Sequence, residues 1–256
     1  MQPKQALGQN FLMHQATADR IADSAGLAKD SVVLEIGPGT GMLTQSLLER
    51  AGRVVAVEAD SELVPGLKER FSEQLAAGTL ELIEGDIRKF ALSTLPNGYV
   101  VVANIPYYIT GDILRFLLGS PHRPSALTLL VQKEVAERIA RSKKASILSL
   151  SVAVYGTPKY MFTVPRGAFR PAPNVDSAVL QVRDIRSPFA SDAEERRFFA
   201  IVHAGFAHKR KRMAKNLEDI APSSAITVAF EEHHLDPNAR AEDVPLSVWV
   251  ALAHSL

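Results

Sequence analysis

Apolar residues in the first two thirds of the chain form short runs, and segments with helical spacing separate them. The runs predicted to be buried strands are residues 32–36, 54–58, 80–83, 99–103 and 126–131, with later strands near 160–164 and 178–183. Residues 41–50, 61–75 and 111–118 carry the helical spacing. Strands that alternate with helices in this way predict an α/β fold, in which a parallel sheet has helices on both faces.

The last quarter of the chain has a different pattern. A linker is expected around Ser187 and Pro188, and a long helix is predicted over residues 193–217 with Asp192 as its N-cap. Short helices broken by Pro222, Pro237 and Pro245 are expected in the remainder. The pattern therefore predicts one domain over residues 1–186 and a small all-helical domain over residues 187–256.

Composition narrows the choice of function class. No apolar run approaches the about 18 residues that span a bilayer, and residues 1–10 lack the apolar core of a secretory signal. Cysteine is absent, which excludes disulfides, thiolate metal sites and cysteine nucleophiles, and no His/Asp cluster indicates a metal. We therefore expect a cytoplasmic protein without a catalytic metal. Composition does not determine the oligomeric state, and a monomer is taken as the starting assumption.

Charge is distributed unevenly, although the formal net charge is only +1. Between Arg196 and Lys215 there are seven Lys or Arg residues and no Asp or Glu. A run of this kind is often one solvated face of a helix, but the lack of interleaved acids favours contacts with phosphates. The residues expected to make these contacts are Lys209, Arg210, Lys211, Arg212 and Lys215.

A glycine-rich loop follows the first predicted strand. Gly37, Gly39 and Gly41 let the backbone turn tightly and approach a ligand, although dinucleotide dehydrogenases have a similar loop and such a turn can also be purely structural. Glu58 ends the next strand, where a carboxylate can accept hydrogen bonds from both ribose hydroxyls of an adenosine, and Asp86 follows the third strand, where it can accept the adenine amine. The series predicts a nucleoside cofactor.

The fourth predicted strand leads into Asn104, Ile105, Pro106, Tyr107 and Tyr108. This segment has the form of the Asn/Asp-X-Pro-aromatic motif of amino-directed methyltransferases. An adenine amine is a poor nucleophile, and the side-chain oxygen of Asn104 and the carbonyl of Ile105 can accept its hydrogens and direct its lone pair at a methyl sulfonium. Pro106 fixes the turn, and Tyr107 offers a face on which an extruded base stacks. Positioning and electrostatics then suffice without a general base.

With these residues, the chain resembles the ribosomal RNA adenine dimethyltransferase family over nearly its whole length. The matching segments are residues 7–12, 34–41, 57–58, 85–86, 104–108, 131–138 and 168–177. The resemblance implies a Rossmann-like, seven-stranded class I methyltransferase sheet with a small helical C-terminal domain. It also implies S-adenosylmethionine as the cofactor, held by Asn10, Leu12, Gly37, Gly39, Gly41, Glu58, Asp86 and Asn104.

The resemblance implies a target-base pocket as well. Asn104, Ile105, Pro106 and Tyr107 would carry the chemistry, and Tyr108 would bind substrate. Phe169 resembles a second aromatic wall of the pocket, but a core phenylalanine in a Pro-rich loop explains it equally well.

Two branches of the family fit the chain. One dimethylates two adjacent adenines in a hairpin near the 3′ end of small-subunit rRNA, and the other dimethylates one adenine of large-subunit rRNA and confers macrolide resistance. The basic segment 206–217 and residues 240–244 favour the first branch, as does Tyr108, whereas Ile105 is more typical of the second. His14 and the pair Ile147 and Leu148 also depart from the family pattern.

The leading hypothesis is therefore an rRNA dimethyltransferase that acts on small-subunit rRNA or the immature small subunit. An RNA-binding assembly factor without turnover is a second class, and erosion of the glycine loop or of the Asn104 motif would have favoured it; both are intact. A nicotinamide dehydrogenase is the least favoured hypothesis, because hydride transfer does not require the Asn104 motif.

Overall fold

A computed structural model describes residues 9–256, so positions 7 and 8 of the N-terminal motif lie outside the described residues. The chain divides into two compact units. The first contains the described residues up to Ala140 together with Gly156–Arg186, and the second contains Arg141–Tyr155 and Ser187–Leu256. Segment 141–155 thus packs with the C-terminal residues, although the boundary expected at residue 186 places it in the first domain.

The first unit is built on a seven-stranded sheet in the order β4-β3-β2-β5-β6-β9-β7. Its strands are β2 (Val32–Ile36), β3 (Arg53–Glu58), β4 (Leu80–Glu84), β5 (Val100–Asn104), β6 (Ala126–Gln132), β7 (Thr157–Val164) and β9 (Ser177–Arg183). β2 to β6 pair in parallel, whereas β9 is antiparallel to both β6 and β7. A separate two-stranded sheet pairs β1 (Phe11–Leu12) with β8 (Phe169–Arg170).

The helices of this unit flank the sheet because their apolar residues repeat at helical spacing. They are α1 (Gln15–Ala25), α2 (Met42–Leu48), α3 (Val64–Arg70), α4 (Ser72–Ala76), α5 (Thr110–Leu118) and α6 (Lys133–Ala140). The one long helical segment predicted over residues 61–75 is broken at Phe71, whose buried ring lies against the start of α2. The expected fold is confirmed, with the parallel sheet of the prediction carrying one antiparallel strand.

The second unit contains α7 (Ile147–Ala153), α8 (Asp192–Gly205), α9 (Met213–Leu217), α10 (Ser223–Glu232) and α11 (Leu246–Ser255). Pro222 and Pro245 precede α10 and α11 directly, and Pro237 lies between these two helices, so the prolines separate short helices as the sequence predicts. Tyr155 joins segment 141–155 to this unit: its ring packs near Phe189 and Phe199, and its hydroxyl donates to Glu195 at 2.5 Å.

The long helix predicted over residues 193–217 is wrong. α8 begins after Ser191, whose hydroxyl, in place of Asp192, accepts the cap hydrogen bond from Glu194, and it ends at Gly205. A Cβ on Gly205 would lie 2.5 Å from Trp249 of α11, so the helices approach closely there. The buried amide of Asn216 then donates to the carbonyls of Gly205 (2.7 Å) and His208 (3.2 Å), which holds residues 206–212 as a loop.

Among residues 9–256, no helix is long and apolar enough to cross a membrane.

Candidate active site

The candidate site is a cavity of about 230 Å³ in the first unit, at the edge where the parallel strands end. Neighbouring parallel strands place their carboxyl-terminal residues at one edge of a sheet, and ligands of open α/β sheets bind there. Of the residues predicted for the cofactor and the chemistry, those that line the cavity are Asn10, Leu12, Gly37, Gly39, Glu58, Asp86, Asn104, Ile105, Pro106, Tyr107 and Tyr108.

The glycine loop crosses from β2 to α2 with its three glycines at positive φ, a conformation that side chains disfavour. Gly37 donates its N–H to the carbonyl of Val57 at 2.9 Å, which ties the loop to β3. A Cβ on Gly39 would lie 3.0 Å from the ring of Phe11. Gly41 does not line the cavity: it begins α2 and leaves room for Phe71, to which a Cβ would come within 2.5 Å.

Glu58 is buried at the end of β3, and its carboxylate already holds backbone. Oε2 accepts the N–H of Gly39 at 3.0 Å and Oε1 accepts that of Asp60 at 2.9 Å. Burial raises the pKa of Glu58, and these two hydrogen bonds partly oppose the rise. Each oxygen retains acceptor capacity toward the cavity, so the same carboxylate can fix the glycine loop and accept a ligand hydroxyl.

Asp86 lies at the cavity with a partner that the sequence pattern did not indicate. The guanidinium of Arg88 donates to both carboxylate oxygens, with Nη2 at 2.6 Å from Oδ2 and Nε at 3.0 Å from Oδ1. These hydrogen bonds lower the pKa of Asp86, so it is an ionised acceptor at neutral pH. Arg88 also lines the cavity.

Asn104 is the last residue of β5. Its Nδ2 donates to the main-chain carbonyl of Asn10 at 2.9 Å. The amide orientation is thereby fixed, and Oδ1 remains the group that can accept hydrogens from a ligand amine. Asn10 thus contributes its main-chain carbonyl to the site, a contact that its residue type does not indicate.

Tyr107, the last residue of the motif, and Tyr108 lie in the short 3₁₀ turn Tyr107–Ile109. The hydroxyls of Tyr107 and Ser177 lie 2.5 Å apart, which anchors the phenol to the first residue of β9. Burial raises the pKa of Tyr107, so its hydroxyl is protonated at neutral pH. Tyr108, in contrast, is 63% exposed and presents an aromatic face at the cavity.

Phe169 does not line this cavity among the described residues; it is buried in the hydrophobic core. It pairs with Leu12, which does line the cavity, in the β1–β8 sheet. The basic residues belong to the other unit. Those that lie in the exposed loop after α8 are Lys209, Arg210, Lys211 and Arg212, while Lys215 lies in α9 and pairs with Glu218.

Glu35 is a buried carboxyl to which the sequence pattern gave no role. It lies in β2 and is 1% exposed, with the hydroxyl of Thr44 beside its carboxyl. Burial raises the pKa of Glu35 to about 8; the hydroxyl of Thr44 opposes this rise and the nearby Glu58 adds to it. The sequence did contain a signal for this buried carboxyl, because Glu35 is an ionisable residue within a run of apolar strand residues.

Comparison with known proteins identifies the family. The model of the family "Ribosomal RNA adenine dimethylase" matches residues 1–256. The chain belongs to this family. Membership confirms the class I methyltransferase fold, the enzyme class of rRNA adenine dimethyltransferase and S-adenosylmethionine as the cofactor, all expected from the sequence.

Relatives at 35–40% identity carry the name "Ribosomal RNA small subunit methyltransferase A". The relative from Deinococcus radiodurans is 40% identical over 260 residues, which cover 100% of this chain and 86% of the relative.

Two solved structures are also similar. A dimethyladenosine transferase from Plasmodium falciparum has a TM-score of 0.81 and 25% identity, over 94% of this chain and 95% of that one. The 23S rRNA methyltransferase ErmE has a TM-score of 0.78 and 28% identity, over 96% and 99% of the two chains.

The residues of the cavity fit the cofactor of the family. Glu58 ends β3 and Asp86 follows the neighbouring strand β4, and the glycine loop also lines the cavity. A Cβ added to Gly37 or Gly85 would meet no atom closer than 4.0 Å beyond its chain neighbours, so the space over these backbones is open to a ligand. Apolar side chains of Met42, Leu63 and Ile87 supply the walls.

Proposed function

We propose that the protein dimethylates N6 of two adjacent adenines in a hairpin near the 3′ end of small-subunit rRNA, and so takes part in small-subunit biogenesis in the cytoplasm. The observation that carries the proposal is the fixed amide of Asn104, whose Oδ1 is left as an acceptor beside the glycine loop. The shared name of the relatives favours the small subunit as the source of the substrate.

In one half of the cavity, the hydrogen-bonding groups of the lining residues match the groups of the cofactor. Glu58 accepts the ribose hydroxyls, Asp86 accepts the adenine amine, and Gly37 and Gly39 let the backbone approach the ligand, while Asn10 and Leu12 close the cavity above it. Gly41 acts indirectly, by starting α2 against Phe71. Bound S-adenosylmethionine supplies the methyl group that is transferred.

The other half receives the target base. Oδ1 of Asn104 and the carbonyl of Ile105 accept the two hydrogens of the adenine amine, which directs the nitrogen lone pair toward the donor methyl. Pro106 holds the turn, Tyr107 stacks on the flipped base, and exposed Tyr108 contacts a neighbouring nucleotide. Phe169 is not part of this wall; it is buried and supports the cofactor half from the core, through its pairing with Leu12.

The second unit holds the RNA by its phosphates. Lys209, Arg210 and Lys211 are exposed on a loop, where cations reach a backbone more freely than on one helix face. Arg212 donates to Asn238 at 3.2 Å, and Lys215 is paired with Glu218, so these two contribute less. Lys144 belongs to the same unit and forms an ion pair with Glu242. The pKa of Glu242 is lowered mainly by Lys144, and to a smaller extent by the charge of Lys209.

The test is a methyl-transfer assay with labelled S-adenosylmethionine on undermethylated small subunits, large subunits and each purified rRNA, with modified adenines mapped by mass spectrometry. The expected result is dimethyladenosine at two adjacent positions of small-subunit rRNA, lost in Asn104→Ala. Label in large-subunit RNA would place the protein in the branch to which ErmE belongs, and RNA binding without label would make it an assembly factor.

A further inference from the structure

The hydroxyl of Ser177 is fully buried and lies 2.5 Å from the hydroxyl of Tyr107, 70 residues earlier in the chain. Neither hydroxyl makes another hydrogen bond within residues 9–256. A buried hydroxyl without a partner is costly, so this contact satisfies both groups at once.

Ser177 is a rigid anchor because both of its neighbouring strands hold it. It pairs with Gln132 of β6 on one side and with Val164 of β7 on the other. The preceding residue, Asp176, accepts the N–H of Lys133 with its carbonyl and the N–H of Arg166 with its carboxylate, both at 3.0 Å. The position of the Ser177 hydroxyl is therefore set by the central sheet.

Tyr107 has weaker local support. It lies in a single 3₁₀ turn, where its carbonyl accepts the hydroxyl of Thr110 at 3.1 Å. That contact holds the backbone but leaves the ring free to rotate about its side-chain bonds. A hydrogen bond at the phenolic end fixes the plane of the ring as well, because the aromatic group is then held at both ends.

We propose that Ser177 is a positioning residue for methyl transfer, which holds the ring of Tyr107 in the plane on which the target adenine stacks. The inference rests on the proposed function of Tyr107. Ser177 touches neither base nor cofactor in this assignment; it acts through the hydroxyl of Tyr107. The class of residue required at position 177 is a small one with a hydroxyl.

The experiment is a double-mutant cycle with Ser177→Ala, Tyr107→Phe and the double variant, with Ser177→Thr as the variant that keeps the hydroxyl. Rates are measured over a range of cofactor concentrations at saturating RNA, which gives both kcat and KM. We expect kcat to fall about tenfold in either single variant, the factor of one lost hydrogen bond, with no further fall in the double variant. KM for S-adenosylmethionine should be unchanged, and Ser177→Thr should restore kcat. Multiplicative losses in the double variant, or a kcat in Ser177→Ala within twofold of wild type, would overturn the proposal.

A second measurement separates this proposal from the proposed function. NMR of protein labelled with ¹³C at tyrosine Cζ, assigned with Tyr107→Phe, reports the hydroxyl of Tyr107 without RNA. Because the hydrogen bond with Ser177 opposes the rise in the pKa of Tyr107, this pKa should rise further in Ser177→Ala and stay unchanged in Ser177→Thr. If wild type methylates no RNA but the pKa of Tyr107 rises in Ser177→Ala, only the proposed function fails. If this pKa does not change, Ser177 does not hold the hydroxyl of Tyr107 and the present inference fails.

Discussion

The side-chain amide of Asn104 donates to the main-chain carbonyl of Asn10, with 2.9 Å between Nδ2 and O. The contact joins the end of β5 to the segment before β1, and it requires a donor at position 104. Aspartate has the same shape but places a second acceptor against the carbonyl. The contact therefore explains why asparagine, and not aspartate, occupies this position in the chain.

Asn104→Asp should lose methyl transfer by about 100-fold or more at pH 8, where two opposed acceptors cost several hydrogen bonds' worth of free energy. Protonation of the introduced carboxyl restores the missing donor, so the rate relative to wild type should rise as the pH falls. Single-turnover rates between pH 5.5 and 8.5 would measure this, with Asn104→Ala as a control that has no pH-dependent ratio. An aspartate variant as active as wild type at pH 8 would contradict the role of the Asn10 carbonyl.

Glu58→Gln should weaken binding of S-adenosylhomocysteine about tenfold or more. In wild type each carboxylate oxygen accepts a backbone N–H, whereas in the variant the NH₂ group of glutamine would face one of these N–H donors. Isothermal titration calorimetry would measure the affinity. Glu84→Gln is the matched control, since Glu84 pairs in register with Glu58 on the neighbouring strand and is exposed. Equal losses in the two variants would mean that general charge at the sheet edge, and not the Glu58 contacts, determines binding.

Glu35 should make the protein less stable as the pH rises. In the unfolded chain this carboxyl ionises near its ordinary pKa of 4.5, whereas in the folded chain it holds its proton until about pH 8. Between these values the folded state binds more protons, so the free energy of unfolding falls by about 1 kcal/mol per pH unit and the fall ends near pH 8.

Urea unfolding of wild type and Glu35→Gln at pH 5.5, 6.5 and 7.5 would test this expectation. Glu58, whose pKa is also raised, is present in both proteins, so the difference between the two slopes isolates Glu35. Parallel pH profiles would show that the carboxyl of Glu35 is already ionised in the folded protein.

Neutralising the exposed basic loop should reduce RNA affinity together with its salt dependence. The triple variant Lys209→Ala, Arg210→Ala, Lys211→Ala should lower the slope of log affinity against log salt by about 2 to 3, the value for three released counterions. Lys215→Ala should change the slope much less, because Lys215 is already paired with Glu218. Filter binding at several salt concentrations would measure both, and equal changes per charge would refute the distinction.

His14→Asp should stabilise the protein by about 1 kcal/mol, the usual contribution of an N-cap side chain. His14 occupies the N-cap of α1 with extended backbone, yet its side chain makes no cap hydrogen bond. Aspartate can accept an N–H of the first turn and also complements the helix dipole. Thermal unfolding would show the gain, and His14→Ala, which has no acceptor, should show none.

The sequence predicts the sheet well because buried parallel strands are nearly continuous apolar runs: β2 over residues 32–36 has the predicted bounds, and the other strands differ by a few residues. The motif glycines and Asn104 could be placed because they stand at strand ends. The β1–β8 sheet was not predicted, since two-residue strands have no measurable periodicity.

Features that depend on distant contacts could not be predicted. Helical spacing continues through residues 193–217, but the approach of Gly205 to Trp249 and the hydrogen bonds of Asn216 end α8 early. The bond between Ser177 and Tyr107 joins residues 70 positions apart, and a serine at the start of an apolar strand gave no reason to expect it. The ion pair between Arg88 and Asp86 was not predicted, because the sequence around Arg88 is like that of any exposed arginine near a carboxylate.

The composition of the second unit has a consequence for protein engineering. Because Tyr155 and the rest of segment 141–155 complete the packing around Phe189 and Phe199, the unit is encoded in two separate stretches of the gene. A fragment beginning at residue 187 would leave those aromatic rings without part of their packing. A transplant of this unit onto another catalytic domain must therefore carry both stretches, and a single crossover cannot deliver it.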